Sequence, residues 1–185
     1  LAYDSRDPKP LAKGGKMPVV FGSEAGMEIL EFTVIPSLYG VNMKRGESVY
    51  TGQMGKLVCD NSLSLYDDPL DPKGDLSGIC DEEGVPSQRT MLIEKGVIKG
   101  ALYDTHNAFK YKAEPTSSGI RAQWLQDGTS YRAQPITGAR NVVVKGKAVG
   151  GKDDVVSKVD SGIYVREVMG AHTANPTSSD FSVMA

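Results

Sequence analysis

Histidine and cysteine are the scarcest chemistry-bearing residues in this 185-residue chain, with two of each. A zinc hydrolase centre takes three protein ligands, usually two His one helical turn apart, and a carboxylate base. His106 and His172 are far apart in sequence and belong to no His-Glu helix pair, so no such centre is expected from these residues. Cys59 and Cys80 are too few for a disulfide framework, which fits a reducing, cytoplasmic setting. Neither has an adjacent basic residue to favour a thiolate nucleophile. No run approaches the ~18 apolar residues of a membrane span, and no signal-peptide pattern opens the chain. A Gly-x-Ser-x-Gly elbow, a P-loop and a Gly-x-Gly-x-x-Gly fingerprint are absent as well.

Charge of one sign is also lacking, since the net charge is −2. Residues 1–83 carry 14 acids and 8 bases, and residues 84–185 carry 9 acids and 13 bases. The bases are spread singly, without aromatic interleaving, so no nucleic-acid footprint is expected. What remains is the composition of an ordinary globular domain, 39% apolar and 24% charged. The 21 Gly, 10 Pro and 8 Tyr favour short strands and tight turns over a helical bundle. The chain starts at Leu1 and ends in the alternating run Phe181-Ser182-Val183-Met184-Ala185, so both ends read as cut.

Met17-Pro18-Val19-Val20-Phe21 reads as a buried strand. Ser23 stands at an N-cap position, and Met27, Leu30, Val34 and Ile35 follow at helical spacing until Pro36. Residues 40–56 are punctuated by glycine and are expected to be loop. Leu63 and Leu65 alternate with serines in a strand leading to Tyr66. Thr90 to Tyr103 reads as a hairpin turning at Lys95-Gly96, with Gly96 supplying positive φ. Asp104 or Thr105 caps a short helix through Lys110. Residues 114–141 read as a long irregular connection with one strand at most. Val142-Val143-Val144 is a strand, Lys152–Val159 a short helix, and Ile163–Met169 a final strand. The expected class is α+β, mainly β: antiparallel sheets, sandwich or barrel-like, with two or three short helices.

Between Asp67 and Glu83 seven carboxylates (Asp67, Asp68, Asp71, Asp75, Asp81, Glu82, Glu83) face one lysine, Lys73. Oxygen-rich runs suit Ca²⁺ or Mg²⁺, but the spacing lacks the alternating rhythm and closing Glu of an EF-hand. An acidic structural loop is expected, with Arg89 placed to lay its planar fork on one of these carboxylates.

The stretches Asp67-Asp68-Pro69, Asp81-Glu82-Glu83-Gly84-Val85-Pro86-Ser87-Gln88-Arg89-Thr90-Met91 and Glu114-Pro115-Thr116-Ser117-Ser118-Gly119 resemble the signature segments of the TldD/PmbA family, also known as modulators of DNA gyrase. Ser161-Gly162-Ile163-Tyr164-Val165-Arg166-Glu167-Val168-Met169-Gly170 and Asn175-Pro176-Thr177-Ser178-Ser179-Asp180-Phe181 continue the match in order. Ser179 stands where the family usually has Gly. The resemblance covers about residues 17–185 and no single motif carries it.

The resemblance implies a two-part protein, an N-terminal α/β portion and a β-rich C-terminal portion to which residues 1–185 correspond. It implies a cytoplasmic peptidase of small or unfolded peptides, assembled from a TldD-type subunit with a His-Glu-x-x-x-His zinc motif and a PmbA (TldE) type without it. The stretch from Val168 to Pro176 is more similar to the PmbA type, so zinc is expected only in a TldD-type partner and no cofactor in this chain. The expected role is a non-catalytic subunit that supplies interface and groove surface. Expected partners are a TldD-type subunit or a second copy, and a peptide, with no nucleic acid and no membrane. Two alternatives stay open: a metallopeptidase whose zinc motif lies upstream, and a gyrase modulator acting by protein–protein contact. Asp81, Glu82, Glu83 and Arg89 are candidates for a turn-stabilising network, and His172 and Asn175 for exposed polar groups near a strand end; each is a structural or peptide-binding candidate.

Overall fold

The structure is a computed structural model that describes residues 14–121, 132–147, 150–175 and 177–184. In chain order it contains strand β1 (Val19–Phe21), helices α1 (Ser23–Phe32), α2 (Val34–Ser37) and α3 (Gly40–Arg45), and strands β2 (Ser64–Asp67), β3 (Thr90–Glu94) and β4 (Val97–Ile98). Helix α4 (Thr105–Tyr111), strands β5 (Gly119–Ile120), β6 (Ile136–Thr137) and β7 (Val142–Lys145), helix α5 (Lys152–Val156) and strand β8 (Ile163–Val165) follow, with a 3-10 turn at Ala171–Thr173. The class is α+β with antiparallel sheets and short helices, and the described strands do not close into a barrel.

The central sheet has the order β4-β3-β2-β7 and is antiparallel throughout. Its β3–β4 hairpin turns where expected. Lys95 (φ 48°) and Gly96 (φ 77°) both adopt positive φ, the requirement of a type I′ turn. Ile35 of helix α2 and Leu38 just after it pack on Leu65, Leu92 and Ile98 of the sheet and on Leu102 beyond it, to form the main core. Strand β1 pairs in parallel with β8, and Ala25 of α1 packs there with Val165, Val168 and Ala171 in a second cluster.

Several expectations are corrected. The N-cap of α1 is Gly22, and Ser23 is already the first helical residue. The break imposed by Pro36 falls at Thr33, because a proline is tolerated in the first turn of a new helix but not deeper in the old one. Residues 40–45 form helix α3 where loop was expected, ending at Gly46 in the left-handed region. Gly40 opens that helix because Tyr103 packs so closely that a β-carbon would lie inside its ring. Two short strands, β5 and β6, occupy the expected irregular connection, and they pair with each other. Residues 122–131 of that connection lie outside the described residues. Strand β8 ends at Val165, short of Met169. Asp104 is the N-cap of α4, accepting from the Asn107 N–H at 2.8 Å.

Candidate functional site

Most carboxylates of the acidic run turn onto backbone N–H groups. At the end of β2, Asp67 is buried and one oxygen accepts from the N–H groups of Arg140 (3.0 Å) and Asn141 (2.6 Å). Its other oxygen, Oδ2, is buried without a hydrogen-bond partner. Burial pushes the Asp67 carboxyl above its ordinary pKa, against the pull of those two N–H groups and of the Arg140 charge. Asp68 accepts from Arg89 Nε (2.8 Å) and Nη2 (2.5 Å) on one oxygen, and the guanidinium lies 5.0 Å from the centre of the Tyr66 ring. Arg89 therefore neutralises the run from its start and is not part of the Asp81 network.

Further along, Asp81 closes its own turn through the N–H groups of Glu83 (3.0 Å) and Val85 (2.9 Å). Its second oxygen accepts from the buried Gly119 N–H at 2.9 Å. Glu82 accepts from the Arg121 N–H. Glu83 accepts from the Thr105 N–H (2.7 Å) at the start of α4, where the positive end of the helix favours an anion. Three consecutive acids thus tie the 81–85 turn to β5 and to α4.

His172 and Asn175 lie elsewhere, on the C-terminal segment. The His172 ring meets Phe32 of α1 edge-on at 6.3 Å, at 73°. Asn175 accepts at its side-chain oxygen from the N–H groups of Thr177 (2.9 Å) and Ser178 (3.3 Å), and its backbone bonds Ser179 and Asp180. Ser179 has φ 58°, the conformation for which glycine is favoured, and its hydroxyl meets that of Ser37 on α2 at 3.0 Å.

Among the described residues no three His, Cys, Asp or Glu side chains converge to hold a metal ion. Cys59 and Cys80 are free thiols, and burial with the neighbouring Asp60 pushes the Cys59 thiol up, away from thiolate.

One concave feature among the described residues was not anticipated from the sequence. A groove of about 480 Å³ runs between α1–α2 and the β6–β7 segment, lined by Met27, Leu30, Ile35, Ile136, Val142 and Val144 among others. Tyr39 sits in its wall, with burial pushing the phenol up to about 12 despite a hydrogen bond with the Ala139 backbone. Two of its lining valines stand out in the open: Val142 is 37% and Val144 50% exposed, on a strand at the edge of the sheet. Val142 and Val144 are two apart, so they share a face, which is the face that Leu65 presents to the core. Helix α2 covers that face over β2 and leaves it bare over β7. The signal was present in Val142-Val143-Val144, a run apolar on both faces, which reads as a buried strand until its neighbours are known.

One end of the groove is fixed by the acidic run. Arg140 donates from Nε to the Leu76 carbonyl (3.0 Å) and from Nη1 to the Ser87 hydroxyl (2.8 Å). Asn141 accepts from the Leu76 N–H (3.1 Å) and donates to the Asp68 carbonyl (3.2 Å) and the Ser77 hydroxyl (2.8 Å). Leu76 is thereby held at the groove wall. Chemically, the arrangement offers apolar surface and an edge strand, β7, to which no further strand pairs among the described residues, suited to taking up an extended chain.

Comparison with known proteins finds relatives of the chain in sequence and in fold. Residues 14–185 match the family model for the PmbA/TldA metallopeptidase C-terminal domain. An uncharacterised protein of Methanocaldococcus jannaschii is 30% identical over 183 residues, covering 99% of this chain and 40% of the relative. A metalloprotease TldD homolog of Buchnera aphidicola is 32% identical over 156 residues, 83% of this chain and 30% of the relative. Among solved structures, TldE of Thermococcus kodakarensis superposes with a TM-score of 0.71 at 28% identity, over 83% of this chain and 33% of that one. A Thermotoga maritima protein, solved as a proposed modulator of a DNA gyrase, gives 0.71 and 28% over 87% and 34%. The chain thus spans about 30 to 40% of the length of these relatives. It belongs to the PmbA/TldD metallopeptidase family, of which it carries the C-terminal domain.

Proposed function

We propose that this chain is part of a PmbA/TldE-like, non-catalytic component of a TldD-type metallopeptidase assembly in the cytoplasm, working as a dimer with a TldD-type subunit or a second copy. Its contribution is surface: an interface, and one wall of a groove that receives small or unfolded peptides. The observation that carries this reading is the apolar groove beside the outer edge of β7, which is unpaired among the described residues. An extended peptide satisfies its backbone by pairing with such an edge, while alternate side chains fall into the groove. The likeness to TldE supports the same reading.

The TldD-type metalloproteases among the relatives favour a second reading, in which the whole protein holds its own zinc outside this chain. Metal analysis and peptidase assays on the full-length protein, alone and after co-expression with a TldD-type subunit, separate the two. The first reading expects zinc and activity only in the mixed assembly. Stoichiometric zinc and peptide hydrolysis by the full-length protein alone would overturn it.

A further inference from the structure

The groove has a charge as well as a shape. Its α1 wall carries Glu31, which has no ion-pair or hydrogen-bond partner among the described residues. Glu28 lies close enough on the same helix to repel it. The cation that shares the lining, Arg140, is occupied: its Nε and Nη1 hold the Leu76 carbonyl and the Ser87 hydroxyl. The groove therefore combines exposed apolar side chains (Met27, Ile136, Val142, Val144), a free strand edge and an acid left without its counter-ion.

Resting on the reading of this groove as a peptide site, we propose that it selects one chemical class of peptide: extended segments with apolar side chains at alternate positions and a cationic group on the side toward α1. The alternation follows from the geometry. A strand added to β7 projects every second side chain to the face of Val142 and Val144, and those side chains meet Met27, Leu30 and Ile136. The intervening side chains point away and are free to be polar. The cation follows from Glu31, the unpaired charge of the wall; a lysine, an arginine or a free amino terminus supplies it. An acidic peptide of the same pattern leaves Glu31 and Glu28 facing a like charge.

The test uses two fluorescein-labelled hexapeptides with valine at alternate positions, one carrying a single lysine and the other a single glutamate, titrated by anisotropy against the full-length protein. The lysine peptide is expected to bind more tightly, and Glu31→Gln to weaken it roughly two- to five-fold, the range of an exposed ion pair. Glu31→Lys is expected to reverse the order of the two peptides. Both substitutions lie at an exposed position, and unchanged melting temperatures confirm that folding is intact. Equal binding of the two peptides, or an order indifferent to Glu31→Lys, overturns the charge selection. Binding of neither peptide overturns the groove as a peptide site. Co-purification with a TldD-type subunit is scored separately, so loss of peptide binding with assembly intact sinks this inference while sparing the interface role.

Discussion

Replacing Asp81 with alanine removes three backbone contacts at once, and their surroundings set the magnitude. The Glu83 and Val85 N–H groups lie in a partly buried turn, where water can replace the lost carboxylate. Losing these two bonds costs the modest net value of a hydrogen bond, about 0.5–1.5 kcal/mol each. The Gly119 N–H is buried and is left without an acceptor, at about 1–3 kcal/mol. The sum is about 2–6 kcal/mol, a large share of the stability of a domain this size. Asp81→Asn keeps one acceptor oxygen but turns an amide donor toward another donor, so it falls between wild type and alanine. Urea unfolding gives the stability difference at constant slope, and amide exchange at Gly119 reads the local opening. A loss below about 1 kcal/mol with unchanged exchange at Gly119 would refute the assignment of Asp81 as the staple between its turn and β5.

Three further outcomes follow from the same geometry. Gly40→Ala drives a β-carbon into the Tyr103 ring and is expected to cost about 1–3 kcal/mol or more, read as a lowered melting temperature that Tyr103→Leu partly restores. Asp67 has its folded-state pKa raised above the ordinary 3.8 by burial. Its contribution to stability is therefore full below the unfolded value and is lost as pH rises through the folded one. Asp67→Asn removes that slope, so the gap between wild type and variant shifts against wild type from about pH 3 to pH 7, as unfolding curves at both ends will show. At Ser179, alanine keeps the left-handed strain and loses the bond to Ser37, costing about 1 kcal/mol. Glycine relieves about 1–2 kcal/mol of strain while losing the same bond, so thermal melts should rank glycine near wild type and alanine below both.

Local chemistry was legible where it acts over a few residues. The Lys95-Gly96 turn, the Asp104 cap and the start of α1 each depend on neighbours within about one helical turn, and each stands where the sequence put it, apart from a one-residue shift at Gly22; the helix then breaks at Thr33, ahead of the expected Pro36. Helix α3 was obscured because its two flanking glycines look like loop punctuation. One of them ends the helix in the left-handed region, and the other admits the ring of Tyr103, a contact across 63 residues. Strands β5 and β6 have two residues each, too few to show a period. Arg89 was expected to engage a carboxylate of the acidic run, but nothing local identifies which one. Its partner Asp68 is 21 residues back, chosen by the pairing of β2 with β3 and the Tyr66 ring beneath the guanidinium. The groove was invisible for the same reason, since it forms only when β7 pairs with β2 and so becomes an edge.

The acidic run and the groove belong to one argument. Natural proteins guard edge strands with charge, proline or a covering element, and β7 has little of this: its valines at 142 and 144 are open, and a charge stands only at its end, on Lys145. Asp67 and Asp68 are committed to Arg140, Asn141 and Arg89, and Asn141 and Arg140 in turn hold Leu76 at the groove wall. The carboxylates that look available for chemistry in the sequence are thus spent on rigidity, and what they make rigid is the surround of an uncovered apolar face. A rigid apolar surface loses less conformational entropy on docking than a mobile one. On the proposed reading the groove and its edge receive the peptide, which makes Val144→Lys, a charge placed at an exposed edge position, the substitution that should abolish docking while leaving the melting temperature within the small range of surface changes.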